Sequence, residues 1–190
     1  MKTLAIMVLA CLWPHLASAD ARAGEQKAQL CLLCHKAGRD VSYEPLPLLE
    51  GQTREYLYSQ MRAYKEKRRA DPTPMQVMQV NTANLSDSDM RDIADYFASR
   101  KPIAMSYPVD RAAASRGQAL AESMKCAGCH MSDYSGKNET PRLAGLNPRY
   151  LAPQLQAFVA GKRNHPLMNR VKELSAADAQ ALAQYLGQLQ

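Results

Sequence analysis

Four apolar side chains recur at helical spacing near the end of each half of the chain: Met90, Ile93, Ala94 and Phe97, then Ala179, Leu182, Ala183 and Leu186. Steps of three and four place each set on one face of an α-helix. A Ser-x-x-Asp precedes each stripe, Ser86 to Asp89 and Ser175 to Asp178, which is the pattern of a reciprocal N-terminal cap. Middle helices are predicted over residues 53–67 and again over about 149–160. Pro153 falls inside the second of these and predicts a kink or a later start. Between the middle and final helices each half has a loop bearing methionine. No segment alternates convincingly between apolar and polar positions, so the predicted fold class is all-α.

The halves are copies of one another. At an offset of 94, Pro47, Leu49, Gly51, Tyr56, Leu57, Gln60 and Tyr64 fall on Pro141, Leu143, Gly145, Tyr150, Leu151, Gln154 and Phe158. At an offset of 89, LSDSDMRDIADYF falls on LSAADAQALAQYL. Loops of different length account for the drift. Two homologous domains are expected at residues 22–100 and 114–190. Residues 101–113 carry two prolines and no sustained period, and read as a linker.

Ahead of the repeat, Lys2 is followed by an apolar run over residues 4–13 and then by Ala17-Ser18-Ala19. This is the layout of a secretory signal over residues 1–19, cleaved before Asp20. The run is short for a membrane-spanning helix. A lipid-anchored reading at Cys11 fits poorly, given Leu9 and the early position. The mature chain is expected to be exported, and soluble or peripheral.

Chemistry enters with the cysteines. CLLCH, from Cys31 to His35, and CAGCH, from Cys126 to His130, sit at equivalent points of the repeat, each led by a predicted helix. Cys-x-x-Cys-His is the attachment signature of c-type haem: two thiols add to the vinyl groups and the histidine reaches the iron. Cys31, Cys34, Cys126 and Cys129 are thus the expected attachment residues for two haem c groups, with His35 and His130 as iron ligands. Of five cysteines only Cys11 lies outside these motifs, so none is left for a disulfide, zinc site or nucleophile.

Counting histidines narrows the sixth ligand. The chain has four, His15, His35, His130 and His165, and the first leaves with the signal. Two bis-histidine irons cannot be built from the remainder, and methionine is the usual alternative in electron carriers. Met168 stands seven residues before Ser175, with His165 as its competitor. In the first half, counting back from the final helix selects Met78, and counting forward from proline selects Met75. The helix anchor favours Met78. A thioether raises the reduction potential relative to a second imidazole, and two filled axial positions leave no place for substrate.

Charge alters this picture only slightly. The chain carries a net +6, and removing Lys2 leaves +5. Propionates would lower it further, so nucleic acid is not an expected partner. The weak excess suits docking on an acidic protein and leaves peripheral membrane association open. The densest cluster, Lys65-Glu66-Lys67-Arg68-Arg69, reads as a solvated helix end, with a docking role as the alternative.

Taken together, the two CxxCH motifs, the P-x-L-x-G loop, the Y-L-x-x-Q helix and methionine before an L-S-x-x-D helix resemble the dihaem cytochrome c4 family. The resemblance spans nearly all of the mature chain. It implies two tandem cytochrome c domains with His/Met ligation of both haems, facing each other across a pseudo-twofold interface with propionates near it. It also implies a periplasmic electron carrier rather than an enzyme, with a quinol-oxidising complex as donor and a terminal oxidase as acceptor. A haem electron-acceptor subunit of a periplasmic dehydrogenase is the alternative, and a dihaem peroxidase a lesser one. Leu146 departs from the family loop, which usually has glutamine at that point; the first half keeps it as Gln52. In many such domains a loop carbonyl fixes the proximal imidazole, and Pro47 and Pro141 shape the loops in question.

Overall fold

The computed structural model describes residues 21–35, 46–69 and 75–190. The expected signal, with Cys11 and His15, lies outside the described residues. Eight α-helices are described: α1 (Ala21–His35), α2 (Arg54–Lys65), α3 (Met75–Ala83), α4 (Asp87–Ser99), α5 (Arg111–Ser123), α6 (Ala127–His130), α7 (Pro148–Val159) and α8 (Ala176–Gly187). A 3₁₀ segment, Pro166–Glu173, precedes α8. The only β feature among the described residues is an isolated bridge between Lys137 and Thr140.

Each half closes by crossing its first helix on its last, α1 on α4 and α5 on α8. Glycine makes the close approach possible. A Cβ at Gly24 would lie 2.2 Å from the Asp92 carbonyl oxygen, and one at Gly117 would lie 2.0 Å from that of Ala181. Polar contacts lock the same crossings: Lys27 reaches Asp89 and Asp92 at 2.7 and 2.6 Å, and Arg116 reaches Asp178 at 2.6 Å. Both capping boxes form, with Ser86 and Ser175 accepting from the third residue's N–H and Asp89 and Asp178 accepting in return.

The predicted stripes are buried, each in its own core. Met90, Ile93, Ala94 and Phe97 pack with Ala28, Leu57, Met61 and Tyr96. Leu182, Ala183 and Leu186 pack with Ala121, Tyr134, Ala144, Leu146, Leu151 and Ala152. Between the halves, residues 101–110 form no regular element, and α5 begins at Arg111 under an Asp110 cap.

Two local expectations are corrected. The methionine loops are helical: Met78 lies in α3 and Met168 in the 3₁₀ segment. Pro153 does not mark a later start of α7, which begins with Pro148 at its first turn and runs through to Val159. The lost bond at Pro153 is offset by burial of Leu151, Ala152 and Ala157 on either side. The two haem motifs also differ in setting. α1 runs unbroken through CLLCH, whereas α5 stops before CAGCH. There Lys125 takes φ 54°, its N–H bonds Glu122 O at 3.0 Å and the Cys126 N–H bonds Ala121 O at 3.0 Å, a Schellman closure.

Candidate functional site

Helix geometry brings each motif's reactive groups to one side. Cys31, Cys34 and His35 are spaced three and four apart on α1, so thiols and imidazole share a face. Cys129 and His130 lie on α6, with Cys126 as the residue just before it. None of these four cysteines is in a disulfide. Cys31 packs against the first core and Cys126 against the second. Burial pushes both of these thiols up.

Both imidazoles are buried and held the same way. His35 Nδ1 donates to Pro47 O at 2.8 Å, and His130 Nδ1 donates to Pro141 O at 2.9 Å. A carbonyl can only accept, so the tautomer is fixed with the proton on Nδ1 and the lone pair on Nε2. Burial lowers the pKa of both rings, against the raising effect of these carbonyl bonds, and favours the neutral imidazole. A neutral ring with a free Nε2 and an anchored Nδ1 is the donor a metal requires.

Each proline carbonyl is placed by a loop that leans on its own final helix. Gly51 N–H bonds Phe97 O, and Gly145 N–H bonds Leu186 O, both at 3.0 Å. The next turn repeats too, Gln52 N–H to Leu49 O at 3.1 Å and Leu146 N–H to Leu143 O at 3.3 Å. Inside this frame the halves differ. Glu50 is buried near His35 with its Oε2 lacking a hydrogen-bond partner among the described residues, and Ala144 is its counterpart.

The methionines occupy equivalent stations after the middle helix. α3, with Met78, packs on α2, and the 3₁₀ segment, with Met168, packs on α7. Both side chains are half-buried. Met75 is the first residue of α3, and its side chain lies outside the described residues. His165 is exposed, and its carbonyl accepts from the Met168 N–H at 2.9 Å. An open cleft of about 510 Å³ lies between the end of α5 and the 3₁₀ segment, lined by Met124, Asn169, Arg170, Lys172 and Glu173. Apolar side chains stand exposed beside both motifs and in both methionine segments, among them Leu30, Leu33, Met131, Leu167, Val77 and Val80. Paired cysteines outside any disulfide, oriented imidazoles and an apolar collar together fit a large, flat, covalently held apolar cofactor.

Sequence reasoning missed the polar seam between the halves. Arg69 Nη1 donates to Gln60 Oε1 and its Nη2 to Gln154 Oε1, both at 2.9 Å. Arg163 donates to Gln154 Oε1 at 2.6 Å, Gln60 Oε1 at 3.1 Å and the Tyr56 hydroxyl at 3.2 Å. Both arginines are buried, at 5% and 7% exposure, so Arg69 is no solvated helix end. The turn at Lys67, with φ 55°, carries the chain inward after α2. The signal was available: Arg69 and Arg163 stand at the same offset of 94 as the two glutamines.

Two helical units in tandem, each presenting two thiols and an anchored imidazole, define a class of covalent haem proteins. The cytochrome c family model matches residues 21–101 and again residues 114–190. Cytochrome c4 of Pseudomonas aeruginosa is 35% identical over 182 residues, covering 90% of this chain and 89% of that protein. The crystal structure of reduced recombinant cytochrome c4 from Pseudomonas stutzeri superposes with a TM-score of 0.77 at 29% identity, covering 91% of this chain and all of that one. The thiosulfate dehydrogenase electron acceptor of Thiomonas intermedia is 43% identical over 81 residues, covering 41% of this chain and 37% of that protein.

The chain belongs to the cytochrome c family, in its dihaem cytochrome c4 group. It is an electron-transfer protein with two covalently bound haem c groups, one in each of its tandem cytochrome c domains, and is not an enzyme. No helix among the described residues is long and apolar enough to cross a membrane.

Proposed function

We propose that the chain is an exported, periplasmic electron relay in which each domain closes its iron between histidine and methionine. In the first domain Cys31 and Cys34 would hold the haem, with His35 and Met78 as the iron ligands. In the second these roles fall to Cys126, Cys129, His130 and Met168. The observation that carries the reading is the duplicated imidazole anchor, Nδ1 on Pro47 O and on Pro141 O, which leaves both Nε2 atoms as donors. Bound haem supplies a one-electron Fe(III)/Fe(II) couple. The chain's own residues hold it in place, exclude water from the buried imidazoles and keep their orientation unchanged between redox states.

A quinol-oxidising complex as donor and a terminal oxidase as acceptor suit a relay that binds no substrate. The local similarity to a thiosulfate dehydrogenase electron acceptor supports a second reading, in which the chain takes electrons from a periplasmic dehydrogenase. Copurification of the exported protein at low salt distinguishes the two: a bound dehydrogenase favours the second, an oxidase the first.

The ligand assignment is tested by separate Met75→Ala, Met78→Ala and Met168→Ala variants of the holoprotein. Loss of about half the red-region Fe–S charge-transfer band is expected for Met78→Ala and Met168→Ala, with the band intact in Met75→Ala. A full band in Met168→Ala, or loss confined to Met75→Ala in the first domain, overturns the corresponding assignment.

A further inference from the structure

The repeat breaks its own symmetry at one buried side chain. Gln52, 5% exposed, reaches across from the first domain to Arg142 in the second. Its Oε1 accepts from Arg142 N–H at 2.7 Å and from Thr53 N–H at 2.9 Å, and its Nε2 donates to Arg142 O at 3.0 Å. Backbone N–H groups can only donate, so the amide orientation is determined by its partners.

The Arg142 N–H belongs to the same peptide unit as the Pro141 carbonyl, and that carbonyl accepts from His130 Nδ1. A continuous relay therefore runs from the His130 ring, through one peptide group, to the Gln52 oxygen. Hydrogen bonds in such chains polarise one another. Accepting from Arg142 N–H makes the Pro141 oxygen more negative and a stronger acceptor for the imidazole proton. An imidazole whose proton is drawn away is a more electron-rich donor.

No mirrored relay can exist. The residue at the position equivalent to Gln52 is Leu146, which has no hydrogen-bonding group in its side chain. It lies beside Leu48, the counterpart of Arg142, where the two help line a cavity of about 10 Å³. One domain thus reaches the other's histidine anchor without reciprocity.

We propose that Gln52 is a positioning residue for the second domain's axial imidazole, and that it lowers the reduction potential of the second haem without a matching effect on the first. The proposal rests on the reading of His130 as an iron ligand. A richer donor stabilises Fe(III), which gives the sign. A change of roughly 10–30% in one hydrogen bond's strength, the whole bond being worth a factor of about two to ten, corresponds to a shift of up to about twofold in the second haem's Fe(III)/Fe(II) equilibrium. At 59 mV per tenfold for one electron, that is up to about 20 mV.

The test uses Gln52→Met, which keeps volume and removes the amide, in histidine-labelled holoprotein followed by NMR through a redox titration. His35 and His130 are assigned through neighbouring backbone amides, and mass spectrometry counts the haems. With both haems present, the second haem's potential should rise by that amount relative to the first. The His130 Nδ1–H resonance should move to weaker hydrogen bonding, and the Arg142 amide should exchange faster. No change in the second potential, or equal changes in both, overturns the proposal while leaving the two-haem reading intact. Fewer than two haems in the unsubstituted protein overturns both. If Gln52→Met does not fold, Leu146→Gln decides: it should build the mirrored relay onto the Leu48 peptide and shift the first haem's Fe(III)/Fe(II) equilibrium toward Fe(III) by up to about twofold. An unchanged first potential in that variant overturns the proposal.

Discussion

Replacing Arg163 by Met should loosen the two domains from each other and leave each domain folded. Arg163 makes two hydrogen bonds across the interface, to Tyr56 and Gln60, and one within its own domain, to Gln154. Its guanidinium also sits 4.5 Å from the centre of the Phe158 ring. Hydrogen bonds to a charged group contribute about 1.5–3 kcal/mol each, and the cation–π contact about 0.5–1 kcal/mol. Two effects reduce the sum. The oxygens of Gln60 and Gln154 keep their bonds to Arg69, so they are not stranded. Removing one of two neighbouring buried cations also relieves repulsion and desolvation. The expected net loss is about 2–3 kcal/mol. Urea unfolding of the holoprotein, followed by far-UV circular dichroism, measures it, and the single transition should broaden or split as the domains uncouple. A double-mutant cycle with Gln60→Leu should return a coupling of about 1 kcal/mol. A loss below about 0.5 kcal/mol with no coupling would refute the view that this seam joins the domains.

Other substitutions probe single links of the same chain. Gly117→Ala should destabilise by about 2–3 kcal/mol, read as a lower thermal midpoint, because the new Cβ meets the Ala181 carbonyl at 2.0 Å. Lys67→Gly should stabilise by about 0.5–1 kcal/mol, since Lys67 holds φ 55° where its repeat counterpart is Gly161 at φ 70°; urea midpoints measure the gain. The Lys27 ammonium beside Asp89, together with the Ser86 cap, holds that carboxyl well below the usual carboxylate range. A depressed folded pKa contributes stability that is complete above the unfolded value near pH 4 and is lost as pH falls below it. Asp89→Ala should therefore cost about 1 kcal/mol at pH 7, with the gap to the unsubstituted protein narrowing below pH 4 in acid-unfolding curves.

Much of this architecture was legible because duplication printed each instruction twice. The final helices, their capping boxes and their stripes followed from spacing alone, and the structure buries each stripe in a separate core. The methionine segments read as loops in the sequence because prolines stand just before α3 and at the start of the 3₁₀ segment, and a 3₁₀ turn needs only local bonds such as Met168 N–H to His165 O. A carbonyl anchor for each histidine could be expected but not placed, because every residue has a carbonyl and only the fold selects those of Pro47 and Pro141. Arg69 was hidden in a basic cluster whose neighbours are exposed; its burial depends on a second domain that supplies Gln154. Gln52 and Leu146 could be compared in the repeat, but only the structure shows that the glutamine reaches the other domain.

Mass spectrometry of the exported, denatured polypeptide tests the central claim most directly. It should show a chain beginning at Asp20 that carries the added mass of two haems, lost one at a time when Cys31 with Cys34, or Cys126 with Cys129, are replaced by Ala. A mature chain bearing one haem or none, or two haems retained after either replacement, would contradict the account.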